Sequence, residues 1–555
     1  MLAKTEMPPG ETHEVFNQAP PLENVNFYAQ DIPLREALAR EGGAWGEPRL
    51  MRYGEIAGSE LISLGFLANQ NKPILRTHDR FGNRIDEVEF HPAYHRLMQV
   101  AIEHELPTLP WREPKLGAHV VSHALGYLHS QVEAGTGCPL TMTYACIPAL
   151  RHQPDVAAVW EPRILSKAYD PRCIPAEQKK GVTIGMGMTE KQGGSDVRAN
   201  TTRAYPLGSG GPGQAYELIG HKWFFSAPMC DAFLVLAQAD KGIACFLLPR
   251  WRPDGTRNAI HIQRLKDKLG NWSNASSEVE FHRAWAVMIG EEGRGVPTII
   301  EMVSHTRLDC MSGSAALMRQ ALSQAIHHCA HRSAFGRLLI DQPLMQNVLA
   351  DLALESEAAM ALMMRVARAF DESANDPRAA AFARIATGVG KYWICKRTPM
   401  MINEAQESLG GAGYVEESIL PRLYREAPLN SIWEGSGNIQ CLDVLRAMSR
   451  EKGSLDAFLA ELKLAKGGNA LLDSAIAELG EEFSRLAGIE ARARRVVEKM
   501  AILLQASLLV RAGDAAVSDA FCASRLSAER GHVFGTLPEG LDYRAIIDRS
   551  RLMSR

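Results

Sequence analysis

The sequence predicts an α+β protein in which helices come first, short strands follow, and long helices fill the second half. Three observations predict this order. Apolar residues recur at spacings of three and four up to about residue 180, and again from about 296 onward, as in helices packed on a core. Between these parts, short apolar stretches alternate with Gly, Pro, Asp and Asn, as antiparallel strands do. A chain of 555 residues is also long enough for several domains or layers.

The N-terminal region, 1–180, is predicted to be an arm over 1–32 followed by helices. Helical spacing is clear in LREALARE (34–41), AYHRLMQVAIEHEL (93–106) and HVVSHALGYLHSQVEA (119–134). We therefore expect this region to be mostly helical up to the proline-containing stretch DPRCI (170–174).

The middle region, 181–290, is predicted to be an antiparallel β-domain. Strands are expected at 232–238, 243–249, 259–265 and 276–282, with the glycine-rich stretch 208–213 as a loop between strands. Long helices are then expected over 307–336 and 345–370, in a bundle region that spans 291–446. A further helical region spans 447–555, and no repeat of 20–50 residues is visible.

Composition and charge exclude several classes of protein. Hydrophobic residues make up 46% of the chain and charged residues 23%, which is typical of a globular protein. The net charge of −3 does not favour a nucleic-acid-binding protein. Ten cysteines without a C-x-x-C pair predict reduced thiols and a cytoplasmic location. The polar N-terminus is unlike a signal peptide, and the apolar run 501–510 is too short to cross a bilayer, so it predicts a buried helix.

The stretch GMGMTEKQGGSDV (185–197) predicts a ligand-binding turn at the start of the β-domain. Thr189 and Ser195 offer hydroxyl groups, and Gly193 and Gly194 leave backbone N–H groups open to an anionic or carbonyl-rich ligand. It is not a dinucleotide-binding fingerprint, because the third glycine is missing and strands follow it. An ordinary turn between strands would explain the same residues.

Two further stretches could contact a flat, phosphorylated ligand. In HKWFFSAP (221–228), three aromatic residues precede Ser226, which suits either a core strand or a platform for a heterocycle. In RSAFGRLLIDQPLMQ (332–346), Arg332 could meet a phosphate, or it could simply complement the C-terminus of a helix.

The stretch SIWEGSGNIQ (431–440) places one carboxylate, Glu434, between apolar and flexible residues. A carboxylate beside an indole loses hydration, which raises its pKa, and the following glycines let the backbone approach a ligand. A solvated surface turn remains the alternative for such a triplet taken alone. His327 and His331 in HHCAH could ligate a metal, but no neighbouring pair completes a site, so we predict no metal.

These blocks, in this order, identify the chain as a member of the acyl-CoA dehydrogenase superfamily, and it most resembles the AidB-type flavoproteins of the adaptive response to DNA alkylation. The resemblance is carried by VEAGTGCPLTMTYA, GMGMTEKQGGSDVRANTTRA, GHKWFFSAP, RLKDKLGNWSNASSEVEF and LPRLYREAPLNSIWEGSGNIQCLDVLR. It implies an N-terminal helical domain, a middle β-domain, a C-terminal four-helix bundle and, over 447–555, an additional helical domain. It also implies a homotetramer that binds FAD between the β-domain and the bundle.

The resemblance further implies which residues contact FAD. Phe224 takes the place of the family's tryptophan over the isoalloxazine ring, and Ser226 that of its threonine near the reactive edge. Arg332 and, less closely, Gln346 match the residues that reach a neighbour's FAD, while Glu407 replaces a glutamine and puts that contact in doubt. The cofactor-binding residues implied are Met188, Thr189, Gly193, Gly194, Ser195, Asp196, Val197, Phe224, Phe225, Ser226, Arg332, Gln346, Gly410, Gly411, Ile432, Trp433, Gly435, Ser436, Gly437 and Asn438.

Glu434 matches the carboxylate that removes the α-proton of an acyl-CoA thioester before hydride passes to the flavin. Some family members carry this base on a bundle helix, where this chain has Thr306, which cannot act as one. Trp433 replaces the family's usual tyrosine, so we expect weak turnover of acyl-CoA or a similar small substrate. The alternatives are an ordinary acyl-CoA dehydrogenase or oxidase of lipid or amino-acid catabolism without DNA binding, or a relative that oxidises nitroalkanes.

Binding of double-stranded DNA is implied by the resemblance, and the local sequence supports it weakly. Residues 445–555 hold 17 Lys and Arg against 15 Asp and Glu, a net charge of +2. The candidate phosphate contacts are Arg446, Arg450, Lys452, Arg492, Arg494, Arg495, Lys499 and the terminal stretch DRSRLMSR. Ordinary solvated helix faces would explain each of these residues equally well.

Overall fold

The computed structural model describes residues 12–451, 453–484, 487–528 and 531–552. Lys452, residues 1–11 of the predicted arm, and the last three residues of DRSRLMSR lie outside these ranges. The described part of the arm, up to residue 31, is irregular chain that packs on the far end of the helical bundle. There Asn17 pairs with Ser333 through both its side-chain nitrogen and its side-chain oxygen, at 2.9 and 2.7 Å.

The N-terminal region is helical with one inserted hairpin. Its elements are α1 (Ile32–Arg40), α2 (Glu47–Ala57), α3 (Glu60–Gln70), β1 (Ile74–His78), β2 (Arg84–Glu89), α4 (Pro92–Glu103), α5 (Leu109–Arg112), α6 (Ala118–Ser130), α7 (Gly137–Leu150) and α8 (Pro154–Ile164). The hairpin β1–β2 was not predicted. Its turn forms because the Asp79 carboxylate accepts from the backbone N–H groups of Phe81 and Asn83, at 2.8 and 2.9 Å.

The middle region is a seven-stranded sheet that closes on itself. The strands are β3 (Ile184–Gly187), β4 (Arg203–Pro206), β5 (Ala215–Ser226), β6 (Ala232–Ala239), β7 (Gly242–Pro249), β8 (Ile260–Leu265) and β9 (Ser276–Ile289). They follow the order β3-β6-β4-β5-β9-β7, β8 pairs with β9, and β6 also pairs with β7. The four predicted strands are confirmed as β6 to β9. The sheet is mainly antiparallel, but β3 and β4 each pair with β6 in parallel, which the antiparallel prediction missed.

The bundle region is dominated by three long helices. Its elements are α9 (Gly295–His331), β10 (Ser333–Ala334), β11 (Arg337–Leu338), α10 (Pro343–Glu372), α11 (Pro377–Ser408), α12 (Leu420–Glu426) and α13 (Gly437–Arg450). The 37 residues of α9 make it about 55 Å long. It packs on α7 and on strands of the sheet, so it links the N-terminal helices, the β-domain and the bundle.

Further helices follow α13 along the chain. They are α14 (Ser454–Lys463), α15 (Ala470–Phe483), α16 (Ala493–Ala512), α17 (Ala515–Leu526) and α18 (Tyr543–Arg549). All except α15 pack against α10 or α11, and α15 packs against α16 and α17. The apolar run 501–510 lies inside α16 and is almost entirely buried, which confirms that prediction. Within the described ranges, no helix is both long and apolar enough to cross a membrane. All ten cysteines are free thiols.

Buried ion pairs join the bundle to these C-terminal helices. Glu461 of α14 accepts two hydrogen bonds from Arg365 of α10, both at 2.8 Å, and one from Arg511 of α16 at 2.6 Å. Glu355 of α10 accepts from Arg397 at 3.0–3.1 Å and from Arg525 at 3.2 Å. We call this ion-paired surface the seam.

Candidate active site

Glu434 lies in the loop between α12 and α13, in a backbone conformation that is unusual for a residue with a side chain. Its φ is +56°, and that of the following Gly435 is +95°. The left-handed region costs a non-glycine residue about 1–2 kcal/mol, so the surroundings must hold it there. The Glu434 carbonyl accepts from Arg307 Nε at 3.1 Å and from Gln440 Nε2 at 2.9 Å.

A buried lysine fixes the same loop from the other side. Lys391 Nζ of α11 donates to the carbonyls of Trp433 and Gly435, both at 2.6 Å. Its neighbour Arg307 forms an ion pair with Asp443 at 2.7 Å. Neither Lys391 nor Gln440 was predicted from the sequence, because contacts to backbone carbonyls leave no motif.

The Glu434 side chain is set up as a base. Its Oε2 accepts a hydrogen bond from the hydroxyl of Thr306 at 2.8 Å. Thr306 cannot act as a base itself, but it orients the Glu434 carboxylate, which can. Burial raises the pKa of the Glu434 carboxyl, and this is only partly offset by the Thr306 hydrogen bond and the charges of Lys391 and Arg307. A carboxylate with a raised pKa is a better proton acceptor, which suits general-base chemistry.

Ser226 lies at the end of β5, and the Cys138 thiol is close to both Ser226 and Glu434. Both groups affect the pKa of the Cys138 thiol on α7. Burial is the main cause that raises this pKa to about 12, the Ser226 hydroxyl opposes the rise, and the Glu434 charge adds to it. Ser226 also shares a hydrogen bond with Ser276 at 3.0 Å. Trp433 packs against the β-domain core, so the site lies where the sheet meets the bundle.

The aromatic residues at the end of β5 divide between the two faces of the strand. Phe224 is 54% exposed, whereas Phe225 is fully buried and packs on Phe233 with ring centroids 4.3 Å apart and the rings tilted by 40°. The alternation of a strand explains this difference. The Phe225 side chain is therefore part of the core, and only Phe224 faces outward.

The loop 188–197 is held in place by a buried ion pair that the sequence did not reveal. Lys222 Nζ donates to Glu190 Oε1 at 2.8 Å, and Glu190 also accepts from the backbone N–H of Thr201 at 2.6 Å. Both side chains of the pair are fully buried. The loop's glycine and hydroxyl residues are left at the surface, where Gly193 has a φ of +139° and no atom within 4 Å of an added Cβ.

These features fit the flavin of the family. The side-chain oxygen of Asn274, near Cys138, is buried and has no hydrogen-bond partner in the described part of the chain. The ring of Phe224 is exposed, and a Cβ added at Gly193 would meet no atom within 4 Å, so an apolar face and an open stretch of backbone are accessible to a ligand. A flat heterocycle with polar edges would satisfy all three.

The remaining predicted contacts fall into two groups. Trp433, Gly435, Ser436, Gly437 and Asn438 surround Glu434 or begin α13, with Ile432 exposed beside them. In contrast, Arg332, Gln346, Gly410 and Gly411 lie at the other end of the bundle. The other predicted flavin contacts belong to the β-domain loop, and they are Met188, Thr189, Gly194, Ser195, Asp196 and Val197.

The distance between the two groups is large. Thr306 and Arg332 are separated by about 39 Å along α9, at 1.5 Å per residue. Arg332 donates to the Asn17 carbonyl of the arm at 2.7 Å, and Glu407, near Gly410, is exposed. Within one chain, the structure does not bring Arg332 and Gln346 to Glu434.

The histidines considered as metal ligands and some of the predicted DNA contacts bond other residues of the chain, whereas the remaining predicted DNA contacts are exposed. His327 Nε2 bonds the carbonyl of Pro20 at 2.7 Å, and the described chain holds no cluster of three or more side chains suited to a metal. Glu482 pairs with both Arg492 and Lys499, at 2.6 and 3.0 Å. The exposed basic residues are Arg446, Arg450, Arg494 and Arg495.

One of these basic residues contacts the candidate active site. Arg494 Nε of α16 donates to Asn438 Oδ1 at 2.8 Å, so a helix of the C-terminal region touches the segment that begins α13. From the sequence, Arg494 is predicted to contact DNA and Asn438 to contact FAD. Their contact was not predicted, because 56 positions separate them along the chain.

Comparison with known families agrees with this architecture. Residues 17–171 match the adaptive response protein AidB N-terminal domain. Residues 185–284 match the acyl-CoA dehydrogenase middle domain, and residues 293–449 the acyl-CoA dehydrogenase C-terminal domain.

Individual proteins give the same result. AidB of Escherichia coli (strain K12) is 47% identical over 524 residues, which cover 94% of this chain and 96% of that protein. The crystal structure of Caenorhabditis elegans ACDH-11 in complex with C11-CoA superposes with a TM-score of 0.84 at 27% identity and covers 95% of each chain. An acyl-CoA dehydrogenase from Bacillus anthracis, complexed with FAD, shares the fold alone, with a TM-score of 0.62 at 18% identity over 78% of this chain and 80% of that one. The chain therefore belongs to the acyl-CoA dehydrogenase family of oxidoreductases and, within it, to the AidB type.

Proposed function

We propose that this chain is a FAD-dependent oxidoreductase in which Glu434 removes the α-proton of an acyl-CoA thioester. The observation that carries the proposal is the Glu434 carboxylate itself, bonded to Thr306 and partly buried between the sheet and the bundle. The C. elegans relative was solved with C11-CoA, which supports a thioester as the substrate class. Family membership supports FAD as the cofactor.

The proton and the electrons are assigned to different partners. Glu434 takes the α-proton and becomes a neutral carboxylic acid, and the electron pair of the broken C–H bond forms the new double bond. FAD, when bound, accepts the β-hydrogen as hydride, so the thioester leaves as its 2-enoyl form. Loss of the negative charge of Glu434 is favourable in a site where burial disfavours that charge.

The flavin would be held on the β-domain side of Glu434. Phe224 would cover the ring, Ser226 would bond its edge, and Thr189 with Ser195 would donate from the loop 188–197. Arg332, at the end of α9, and Gln346, near the start of α10, lie too far from Glu434 to share this site, so we assign them to the flavin of a second protomer in a homotetramer. The ten free thiols fit a reducing, cytoplasmic environment.

Anaerobic bleaching of the bound flavin tests this proposal. The wild-type protein is expected to bleach with at least one member of a panel of straight, branched and substituted acyl-CoA thioesters. Glu434→Gln should keep its FAD and lose bleaching by about 10²–10⁴-fold, because only the base is removed. No bleaching of the wild type by any thioester would contradict the proposal.

We propose as a second function that the protein binds double-stranded DNA and protects it from alkylation. The observation that favours it is the set of exposed basic residues on α13 and α16, namely Arg446, Arg450, Arg494 and Arg495. The N-terminal match to an adaptive response protein supports the same assignment. Phosphate binding by these residues releases counterions, so affinity should fall steeply as salt rises.

Gel-shift titration over a range of salt concentrations checks this function. Arg446→Ala combined with Arg450→Ala should weaken binding to all duplexes alike and reduce the salt slope by about two. An affinity that does not change with salt would rule out phosphate binding. Methylation of a bound and an unbound duplex by the same agent then measures protection directly.

A further inference from the structure

Some accessible surface remains inside the helical part of the protein, and we call the space beside it the cavity. It is lined where α6, α7 and α9 meet by Gly126, Gly137, Thr141, Asp309 and Gly313, each of which keeps some accessible surface among buried neighbours. A Cβ added at Gly137 would meet no atom within 4 Å. One added at Gly126 would reach Asp309 Oδ1 at 4.0 Å. The glycines therefore leave space beside the Asp309 carboxylate.

This cavity lies one helical turn along α9 from Thr306, whose hydroxyl donates to Glu434. On α9, Asp309 follows Thr306 by three residues, so both side chains lie on one helix face, about 4.5 Å apart along the axis. On α7, Thr141 follows Cys138 by three residues in the same way. Thr141 Oγ1 donates a hydrogen bond to Asp309 Oδ2. This bond joins α7 to α9 one helical turn from Thr306.

Asp309 has no cationic partner in the described part of the chain. The nearest basic nitrogen is His123 Nδ1, 3.9 Å from Oδ1, but that nitrogen is 2.8 Å from Ser312 Oγ. Burial lowers the pKa of His123 to about 3, so this imidazole is neutral. Burial also raises the pKa of Asp309 to about 6, opposed by the Thr141 hydrogen bond, so the carboxylate is largely ionised at neutral pH.

The cavity is therefore poorly suited to a plain alkyl chain. About a third of the Asp309 side chain, 32%, remains accessible, one helical turn along α9 from the threonine that bonds Glu434. Covering an ionised carboxylate with hydrocarbon, without a hydrogen bond in return, is strongly unfavourable. A donor group on the ligand would remove this penalty and form a charge-assisted hydrogen bond.

We propose that Asp309 makes this protein selective for acyl groups that carry a hydrogen-bond donor, a hydroxyl or an ammonium, a few carbons beyond the α-carbon. This rests on the proposed function only in taking Glu434 as the position of the α-carbon. Thr141 orients the carboxylate, and the two glycines Gly126 and Gly137 make room for the substituent.

Binding of unreactive ligands tests this inference separately from turnover. The probes are CoA thioethers with pentyl or hexyl chains, and the same chains ending in a hydroxyl or an amino group, titrated calorimetrically into the holoprotein. The wild type should bind the donor-ended probes about tenfold tighter than the plain ones, which corresponds to one charge-assisted hydrogen bond. Because thioethers have no acidic α-proton next to a carbonyl, the result does not depend on Glu434 acting as a base.

Two substitutions at Asp309 distinguish the sources of selectivity. Asp309→Leu should abolish the preference and tighten binding of the plain chains. Asp309→Asn, which keeps the shape, should retain preference for the hydroxyl probe and lose it for the amino probe. Gly137→Ala is the steric control and should weaken all three series alike.

Equal affinity of the wild type for all three series, unchanged in Asp309→Asn, would overturn the inference. Should no thioester bleach the flavin while the donor preference persists, the proposed dehydrogenation would fail and the selectivity would stand.

Discussion

Carboxylates are buried in two regions of this molecule and are treated in opposite ways. At the seam, Glu461 receives the side chains of Arg365 and Arg511, and Glu355 those of two further arginines. At the candidate active site, a threonine hydroxyl donates to Glu434 and another to Asp309, and neither carboxylate forms an ion pair with a described lysine or arginine.

The pKa values follow this difference. Burial alone would raise the pKa of Glu461, but the hydrogen bonds and charges of its two arginines outweigh burial and leave that pKa below its usual value. At Glu434 and Asp309, burial prevails and the pKa is raised. Ion-paired carboxylates remain charged and hold helices together, whereas the unpaired ones can exchange protons in the range where enzymes work. The comparison thus distinguishes carboxylates that stabilise the fold at the seam from those that can take part in proton transfer at the candidate active site. Three substitutions test this distinction, and a fourth tests the contact between the C-terminal helices and the site.

The largest effect is expected at the seam. Glu461→Gln leaves two arginines, one of them buried, without their partner, which should lower the free energy of unfolding by about 3–5 kcal/mol. Urea unfolding followed by circular dichroism measures this. Glu416→Gln is the control, because Glu416 is exposed in its pair with Arg425 and should contribute less than about 1 kcal/mol. Similar midpoints for the two variants would contradict the structural role of the seam.

The next effect concerns the base. Thr306→Val removes the hydrogen bond to the ionised Glu434 carboxylate, which is worth about 1.5–3 kcal/mol, so its already raised pKa should rise further. Since proton removal needs the ionised form, flavin reduction should increase with pH in both proteins and shift to higher pH in the variant. The pH profile of the stopped-flow rate checks this.

The control for Thr306→Val is Thr387→Val, because the Thr387 hydroxyl bonds only a carbonyl of its own helix, Ala383, at 2.7 Å. An unshifted profile for Thr306→Val would mean that Thr306 does not act on the base.

A smaller effect is expected from Asp309. Its pKa is raised from 3.8 to about 6 in the folded protein, so the native state binds more protons than the unfolded state in this window, and this contribution to stability falls as pH rises through it. Asp309→Asn should therefore stabilise the protein at pH 8 by about 1–2 kcal/mol, less than the full shift because a third of the side chain is accessible. Thermal unfolding at pH 5 and pH 8 measures it, and the gain should be smaller at pH 5. A gain independent of pH would show that ionisation is not its cause.

The smallest effect links the C-terminal helices to the site. Arg494→Ala removes the hydrogen bond to Asn438 and should weaken FAD retention by about 0.5–1 kcal/mol, or roughly two- to fivefold. Arg495→Ala is the matched control, because it is an adjacent exposed arginine on the same helix. Fluorescence titration of the apoprotein with FAD distinguishes them, and equal losses would dissociate Arg494 from the cofactor segment.

The sequence was informative where a pattern is local. Periodicity located α9, α10 and the strands β6 to β9, and the motif around Glu434 predicts this residue as the candidate base. It missed the hairpin β1–β2, whose turn depends on the side chain of Asp79, and the parallel pairing of β3 with β6, which joins distant segments. It also missed Lys391, since a lysine that bonds two carbonyls is not distinguishable from a surface lysine in a sequence.

By itself, the sequence determined the order of the regions, the family and the identity of the candidate base. The tertiary structure alone decided which carboxylates lie beside arginines and which do not, because that depends on contacts between residues distant in the sequence, 96 positions apart for Arg365 and Glu461 and 42 for Arg397 and Glu355. A pKa is set by burial and by neighbours in space, so the same residue type becomes a structural charge in one place and a proton acceptor in another.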